Sequence, residues 1–419
     1  MGNKNVPEIR FSSDFGDWQN SKLEALAKFE KGRGYSKKDL VQYGYRAILY
    51  GRLYTNYETV IEDVDTYVAK DEGSIRSKAG DVIVPSSGES SEDIARASVV
   101  PYTGVILGGD LNIIEVDNNV LDPLYLAFAI SNGSTKRELT KRAQGKSVVH
   151  LHNSDLKSTE VTYPDIQEQR LISNLLKYIE SIITFLQQEL TTLKQTKQGF
   201  LQKMFPKESE TVPEVRFPGF SGEWELRKFN DLIRKLTGGA SIKPNDYQDT
   251  GIRTIPKGAI NSSGVADLKG SKYITPTFLE ENNLSKVSTG DLVTSLRDLV
   301  PTAPNLGRIV RITGPQETFI MPQGVYRIEL HEKVSEDFLI AYSNSDKYRK
   351  VISSEKNGST QVHIRNGEFL NIQILSPSCK EQARIGDFFN HLETNIALQE
   401  QELEALQQTK QAFLQKMFV

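Results

Sequence analysis

The sequence predicts an α+β protein with an internal repeat, in which two globular α/β modules are separated by two long antiparallel helices that form a coiled coil with pseudo-two-fold symmetry. QTKQGFLQKMF at 195–205 returns as QTKQAFLQKMF at 408–418, with a single difference. PEIRF at 7–11 returns as PEVRF at 213–217, and each copy precedes one of the two tryptophans. A long segment with apolar residues at helical spacing ends each copy.

The repeat keeps its order along the chain. GYR at 44–46 corresponds to GIR at 251–253, GDVIV at 80–84 to GDLVT at 290–294, and QGKSVVHL at 144–151 to NGSTQVHI at 357–364. The stretches between these landmarks differ widely. We therefore predict a first module at 1–164, a central helix at 165–205, a second module at 206–376 that opens with a linker at 206–214, and a C-terminal helix at 377–419.

The modules show short runs of β-branched residues bounded by Gly, Pro, Asn and Asp, such as TGVILGGDLNIIEV and LGRIVRIT. A helical stretch near PLYLAFAI has a counterpart in DFLIAYS. Strands mixed with a few helices indicate an α+β module in each copy.

Both long helices carry a start signal. Asp165 precedes Glu168 and Ser378 precedes Glu381, which is the spacing of a capping box whose Glu reaches back to the first backbone amide. Helices of this length exceed what a small module needs for its core, so each is expected to pair with the other. The predicted pairing residues are Ile172, Ile179, Leu186, Leu193, Phe200, Ile385, Leu392, Leu406 and Phe413.

The composition excludes several classes of protein. With 51 Lys and Arg against 54 Asp and Glu, the chain has no global basic field, so a site for a polyanion must be a local patch. The single cysteine, Cys379, excludes an internal disulfide framework and a four-cysteine zinc site, which predicts a cytoplasmic location. No apolar run approaches the roughly 20 residues that span a bilayer, and the N-terminus lacks the apolar core of a signal peptide.

Two stretches resemble a catalytic or a metal site but lack residues that such a site needs. Gly145-Lys146-Ser147 resembles the end of a phosphate-binding loop, but Thr140 stands where that motif needs glycine. His150 and His152 can share one strand face, yet the repeat places Arg365 opposite His152, which a zinc site would not accept. We therefore predict that the chain is not an enzyme and holds no metal.

Basic residues alternate with tyrosines in the variable parts, a composition that suits phosphate contacts and reading of base edges. In the first module Lys37, Lys38, Arg46 and Arg52 are interleaved with Tyr43, Tyr45, Tyr50 and Tyr54. For any single residue of this set, a solvated surface is an equally good interpretation.

The paired PEIRF and PEVRF, the paired strands, the P-x-x-x-x-EQ helix starts and above all the two QKMF endings resemble the specificity (S) subunit of Type I restriction-modification enzymes. The resemblance covers essentially the whole chain. It implies that each module is a target recognition domain reading one half of a bipartite, asymmetric DNA sequence. It also implies that the helices hold the modules apart, about one turn of DNA, and dock two modification (methyltransferase) subunits.

The resemblance further implies that restriction subunits join this complex and that cofactors reside in the partners, S-adenosylmethionine in the methyltransferase subunits and ATP with Mg in the restriction subunits. None is expected in this chain. The near-identical helix endings are assigned to helix pairing and methyltransferase docking. The implied DNA-binding residues are Arg46, Arg52, Ser86, Ser87, Lys146 and His150 in the first module, and Lys243, Arg253, Lys257, Arg297, His363 and Arg365 in the second.

Three alternatives stay open at this point. The chain could be a non-catalytic coiled-coil scaffold with two protein-binding modules, an enzyme such as a nuclease or methyltransferase whose site no motif marks, or the specificity chain of another restriction-modification class with a fused partner. Sequence-specific DNA protection by the assembled complex separates the first from the specificity subunit, and activity of the isolated chain would indicate the second.

Overall fold

A computed structural model describes residues 7–11, 16–71, 73–145 and 148–418 of the chain. The chain divides into two compact units, the first formed by Met1–Gln187 with Glu402–Val419 and the second by Gln188–Gln401. Each unit therefore contains one module and parts of both long helices. The predicted domain boundaries, which follow the chain in order, remain a prediction. Within the described ranges, no helix is both long enough and apolar enough to span a membrane.

The first module contains twelve strands and five α-helices in its described part. The strands are β1 (Gln19–Lys22), β2 (Ala27–Lys31), β3 (Leu40–Val41), β4 (Tyr45–Ile48), β5 (Tyr67–Val68), β6 (Asp81–Pro85), β7 (Ser87–Gly88), β8 (Ser98–Val100), β9 (Ile106–Leu107), β10 (Leu111–Val116), β11 (Val149–His150) and β12 (Glu160–Tyr163). The helices are α1 (Arg52–Thr55), α2 (Ser91–Ile94), α3 (Pro123–Ser131), α4 (Gly133–Arg142) and α5 (Asn153–Ser158).

These strands form one main sheet in the order β2-β10-β6-β8, a smaller sheet in the order β3-β5-β4-β9, and two ladders, β1-β12 and β7-β11. The main sheet is antiparallel throughout. Apolar residues of β6 and α3, among them Val82, Val84, Tyr125 and Phe128, lie in one buried core. Pro123 at the start of α3 and the Asp122 side chain, which accepts from the Tyr125 amide at 2.8 Å, fix where that helix begins.

The central helix, α6, runs over Ile166–Lys203. The second module then repeats the plan of the first. Its strands are β13 (Glu225–Lys228), β14 (Ile233–Gly238), β15 (Ile252–Thr254), β16 (Tyr273–Ile274), β17 (Lys286–Ser288), β18 (Leu292–Ser295), β19 (Arg297–Asp298), β20 (Ile309–Arg311), β21 (Thr318–Ile320), β22 (Val325–Leu330), β23 (Val362–His363) and β24 (Gln373–Ser376). Its helices are α7 (Pro276–Glu281), α8 (Glu336–Tyr342), α9 (Asp346–Glu355) and α10 (Asn366–Asn371), and the C-terminal helix, α11, spans Cys379–Met417.

The main sheet and the two ladders of the second module match those of the first, whereas the smaller sheets share three equivalent strands and carry the fourth strand at opposite edges. The main sheet has the order β14-β22-β18-β20, the smaller sheet the order β16-β15-β21-β17, and the ladders are β13-β24 and β19-β23. Helix α8 occupies the place of α3 and begins at Ser335, whose side chain accepts from the Phe338 amide. The α+β fold class and the internal repeat predicted from the sequence are confirmed.

The long helices pair in antiparallel fashion within each unit. In the second unit Lys194 of α6 lies 2.6 Å from Glu400 of α11, while Lys197, one turn further along α6, pairs with Glu393, which lies earlier in α11. In the first unit Glu180 contacts Lys410 at 2.8 Å. In the second unit, residue numbers therefore rise along α6 while those of their partners fall along α11, as antiparallel pairing requires.

The predicted pairing residues divide by their surroundings. Ile172 is buried in the core of the first module with Phe413 packed against that core, and Ile385 is buried in the core of the second. Phe200 meets Phe388 of α11 edge-on, with 4.9 Å between ring centroids. Ile179 and Leu186 are buried, and Leu193, Leu392 and Leu406 are half-buried. Part of the apolar stripe therefore anchors the helices to the modules.

In each predicted capping box the first residue caps the helix, but the glutamate does not bind the backbone amide that it was predicted to bind. The Ser378 side chain accepts from the Glu381 amide at 3.4 Å, and the Asp165 side chain accepts from the Gln167 amide at 2.8 Å. The carboxylate of Glu168, however, accepts two bonds from Arg10, and that of Glu381 accepts two from Arg216. A bidentate arginine binds a carboxylate more strongly than one backbone amide does, so the glutamates turn toward the modules.

Candidate nucleic-acid interface

The repeated motifs first build a joint between each module and a helix end. In the second unit the Val215 amide donates to the Lys203 carbonyl at 2.9 Å, and Glu214 pairs with Lys203 at 3.2 Å. In the first unit the Ile9 amide donates to the Lys416 carbonyl at 3.2 Å, and Glu8 pairs with Lys416 at 3.4 Å. The same two contacts thus join a helix end to the module in each unit.

The phenylalanine that ends each QKMF motif is a core residue. Phe418 is 6% exposed and lies 5.4 Å from Tyr125 of α3, measured between ring centroids. Phe205 is 3% exposed and lies 5.9 Å from Phe338 of α8. Within the endings assigned to helix pairing and methyltransferase docking, these two rings are enclosed by the modules and do not face a partner. The exposed identical residues of the endings are Gln195, Thr196, Gln198, Gln202, Lys203, Gln408, Thr409, Gln411, Gln415 and Lys416.

One buried ion pair holds the start of each long helix to its module. Arg10 reaches Glu168 at 2.7 Å and Arg216 reaches Glu381 at 2.6 Å, and both carboxylates are almost fully buried. Sequence reasoning missed these pairs. The repetition of PE-x-RF and of EQ in both copies was the available signal, since a repeated Arg and a repeated Glu in matched positions indicate a contact.

The glutamines that follow these glutamates bind the N-termini of α3 and α8. The Gln169 side chain accepts from the Asp122 amide at 2.8 Å, and the Gln382 side chain accepts from the Ser335 amide at 3.2 Å. Asp122 and Ser335 are the cap residues of α3 and α8. One position on the long helices differs between the units. In the first unit the Ser173 hydroxyl donates to the Asp122 carboxylate at 2.9 Å. Its counterpart in the second unit is Gly386, where a Cβ would lie only 2.7 Å from the Phe338 nitrogen.

On this frame, two equivalent ladders bring predicted DNA-binding residues together. In the first module β7 pairs with β11, so that Ser87 stands opposite His150, with 3.3 Å between Oγ and Nδ1. In the second module β19 pairs with β23, so that Arg297 stands opposite His363. Each ladder is two residues long, and the side chains differ at equivalent places.

A tight loop precedes the second strand of each ladder. Gln144 and His150 exchange backbone hydrogen bonds of 2.8 and 3.1 Å, and Asn357 and His363 do the same at 2.9 and 2.8 Å. The loop glycine has a positive φ in both copies, and a Cβ would lie 1.9 Å from the Val148 carbonyl oxygen at Gly145 and 2.3 Å from the Gln361 oxygen at Gly358. Lys146, predicted to bind DNA, lies outside the described residues.

The ladder of the first module is supported by Tyr54, whose hydroxyl donates to the Ser87 carbonyl at 2.9 Å. Burial raises the pKa of Tyr54 well above its ordinary value, so this hydroxyl stays protonated and remains a donor. The exposed rings of His150 and His152 lie nearly parallel, 6.2 Å apart. Across the described ranges, no group of three or more His, Cys, Asp or Glu side chains is arranged to hold a metal.

Two predicted residues of the first module point inward. Ser86 is 2% exposed, so its hydroxyl lies beneath the ladder. Arg52 has a side chain only 10% exposed and is bound to Glu58 at 2.7 Å and to Asp65 at 2.8 Å. Both placements argue against direct DNA contact, because the polar atoms are enclosed or already paired within the module.

The remaining predicted residues lie at the surface to different degrees. Arg46 on β4 is exposed, and it forms no ion pair with any residue that the structure describes. Its counterpart Arg253 on β15 is half-buried and paired with Glu317 at 3.1 Å. Lys243, Lys257 and Arg297 are exposed. Arg365 is 76% exposed, with a loose contact to Glu368 at 3.5 Å.

Comparison with known proteins gives a consistent result. The family described as the Type I restriction modification DNA specificity domain matches residues 16–195 and again 221–408. A Type I restriction enzyme specificity subunit of Methanocaldococcus jannaschii, MjaVIII, is 22% identical over 370 residues, which cover 86% of this chain and 79% of the relative. A putative specificity subunit of the same organism, MjaX, is 21% identical over 418 residues, covering 95% and 92%.

Among solved structures, the S subunit of a Type I restriction-modification system from M. genitalium superposes with a TM-score of 0.64, at 14% identity over 99% of both chains. At this identity the superposition shows a shared fold. The two matches of the family lie one in each copy of the repeat and together cover most of the chain. The chain therefore belongs to the family of Type I restriction-modification DNA specificity subunits.

Proposed function

We propose that this specificity subunit reads a bipartite, asymmetric DNA target, one half with each module. The observation that supports this proposal is the pair of equivalent ladders. The first presents Ser87 with His150 and the second presents Arg297 with His363, on the same backbone frame. Because side chains at base edges specify sequence while the frame only positions them, unlike ladders would read unlike half-sites.

Within this proposal the DNA contacts are made by predicted residues that are exposed or half-buried. The exposed ones are Arg46 and His150 in the first module and Lys243, Lys257, Arg297 and Arg365 in the second, and the half-buried ones are Ser87 and His363. Lys146 stays a proposal from the sequence alone. Arg52 and Ser86 are reassigned to the structure of the first module. Arg253 would reach DNA only by exchanging Glu317 for a phosphate or a base.

We further propose that the chain positions two methyltransferase subunits on the target and, through them, restriction subunits. Each unit presents the same exposed glutamines of the repeated helix endings, and two copies of one surface suit two copies of one partner. In this arrangement the methyltransferase subunits hold S-adenosylmethionine, the restriction subunits hold ATP and Mg, and the present chain contributes recognition without catalysis. The lengths of α6 and α11 would then set the gap between the half-sites.

The proposal is tested by co-expressing the full chain with its methyltransferase subunit and mapping methylated adenines in the DNA of the host cells. The expected result is one motif of two unlike parts joined by a gap of fixed length. A single uninterrupted motif, or methylation independent of sequence, would refute two-part reading. A complex that assembles normally yet leaves DNA unmodified and unprotected would favour the scaffold with protein-binding modules.

A further inference from the structure

Two segments outside the ladders share one backbone but present different side chains. They are 36–46 in the first module and 243–253 in the second, here called the crossover segments because each bridges to one strand of the smaller sheet, β5 or β16, and then leads into the neighbouring strand, β4 or β15. The first leads through β3 into β4, and both strands pair with β5. The second leads into β15, which pairs with β16.

The backbone is fixed at both ends by the same devices. The carboxylate of Asp39 accepts from the Ser36 amide at 2.7 Å, and that of Asp246 accepts from the Lys243 amide at 2.7 Å. Further along, a Cβ at Gly44 would lie 2.2 Å from the Val68 carbonyl oxygen. At Gly251 it would lie 2.3 Å from the Ile274 oxygen. Only glycine lets the segment lie this close to the neighbouring strand.

Aligned without gaps, SKKDLVQYGYR and KPNDYQDTGIR agree at three positions, the Asp of the turn, the Gly of the close approach and the final Arg. Two of these three identities are the residues that fix the backbone. The residues between Asp and Gly differ, and most are exposed. Binding residues are disproportionately found on surface segments that a rigid scaffold positions, and exposed side chains on such a segment can differ without changing its backbone.

The first crossover segment exposes apolar surface that water does not favour. Tyr43 is 80% exposed, Tyr45 48% and Val41 39%. Arg46, Lys37 and Lys38 in the same segment are exposed. Aromatic rings interleaved with cations suit a DNA groove, where the cations meet phosphates and a ring packs against a base or a thymine methyl.

Resting on the proposed function, we propose that the crossover segments contain specificity-determining residues, Gln42 and Tyr43 for one half-site and Asp249 and Thr250 for the other. The Gln42 amide has both a donor and an acceptor, the pattern that complements the edge of adenine. The Asp249 carboxylate only accepts, so it selects a base that offers an amino group. The two half-sites therefore differ partly because these two pairs of side chains differ.

Reciprocal exchange tests this assignment in the full chain assembled with its methyltransferase subunits. One variant carries Gln42→Asp with Tyr43→Thr, the other carries Asp249→Gln with Thr250→Tyr. Each introduces residues that the same backbone already holds in the other module, so the fold is preserved. Duplexes from a randomised library that the complex binds are sequenced, which gives a base profile for each half-site.

The expected result is that each exchange lowers base discrimination by about tenfold or more at one or more positions of one half-site. The other half-site stays unchanged and serves as the internal control. Asp249→Asn, which keeps the shape but adds a donor, should alter the profile of the same half-site as the second exchange.

Unchanged profiles in all three variants, beside a two-part wild-type profile, would overturn the crossover assignment and leave the proposed function intact. Unchanged profiles with weakened subunit assembly would assign the segments to a protein contact and also overturn it. A wild-type complex that selects no two-part sequence would refute the proposed function and this inference together.

Discussion

The two joints between a helix end and a module use the same contacts, but only one of them is continuous in the chain. Lys203 is joined to Val215 by a short linker, whereas Lys416 and Ile9 lie near opposite ends of the sequence. The hydrogen bond, the ion pair and the buried phenylalanine are nevertheless the same in both. The comparison teaches that these contacts are sufficient to form the joint, because in the first unit they form it without a covalent linker.

The largest effect is expected from removing the buried rings. Phe418→Ala and Phe205→Ala should each lower the free energy of unfolding by about 3–5 kcal/mol, because each leaves a cavity among aromatic side chains. Without a linker, the first joint should also open locally, so the Ile9 amide should exchange hydrogen faster in Phe418→Ala than the Val215 amide does in Phe205→Ala. Equal exchange would show that the linker contributes nothing. Phe185→Ala, which removes a ring 56% exposed on α6, is the control.

The next effect concerns the buried carboxylates. Arg10→Met and Arg216→Met should each destabilise by about 3 kcal/mol, because Glu168 or Glu381 would be left buried without its partner. Arg216 also donates to the carbonyls of Gly222 and Ser221, so the second unit should lose more. Thermal unfolding measures both losses. Adding Glu168→Gln to Arg10→Met should recover part of the stability, and no recovery would mean that the carboxylate is not the cause.

A smaller effect should come from the position where the units differ, Ser173 against Gly386. Gly386→Ser should cost about 2 kcal/mol, because its Cβ would crowd the Phe338 nitrogen at the start of α8. Ser173→Gly should cost about 1 kcal/mol through the lost bond to Asp122 and the lower helix propensity of glycine. Urea unfolding of the two variants gives the comparison. A neutral Gly386→Ser would show that α8 shifts freely.

At the ladders, where the two modules present different side chains, the expected effect is on DNA binding and not on stability. Arg297→Ser gives the second ladder the residue of the first and should weaken DNA binding by the assembled complex by about 1–2 kcal/mol. If Arg297 reads a base, the loss is confined to targets with that base, and if it contacts phosphate, all targets weaken alike. Titration of matched and mismatched duplexes separates the two. Thr250→Ser, at a crossover segment of the same module, allows the two elements to be ranked.

The sequence predicted the repeat, both long helices and their antiparallel pairing, because these depend on periodicity and on matched landmarks. α6 and α11 lie inside the predicted helical segments, within two residues of each end. Short ladders such as β7-β11 were not predicted, because strands of two residues carry no periodic signal and depend on long-range pairing. The equivalence of Ser87 with Arg297 became visible only once the register was known.

Side-chain partners were the least predictable part of the candidate site. Arg52 and Arg46 look alike in sequence, yet one is enclosed by two acidic residues and the other is exposed. Glu168 matched a helix cap but binds an arginine 158 residues away. Such choices depend on which groups the fold brings within about 3 Å, which local spacing does not encode.

The placement of Phe418 in the core of the first module has a consequence for biosynthesis. Protein domains generally fold in the order in which they leave the ribosome. Here the second module finds its closing ring, Phe205, already synthesised, whereas the earlier module must wait for residues 414–418 before its core is filled. The module translated first should therefore be the last to mature, and its unfinished apolar surface is the part of the nascent chain most in need of a chaperone.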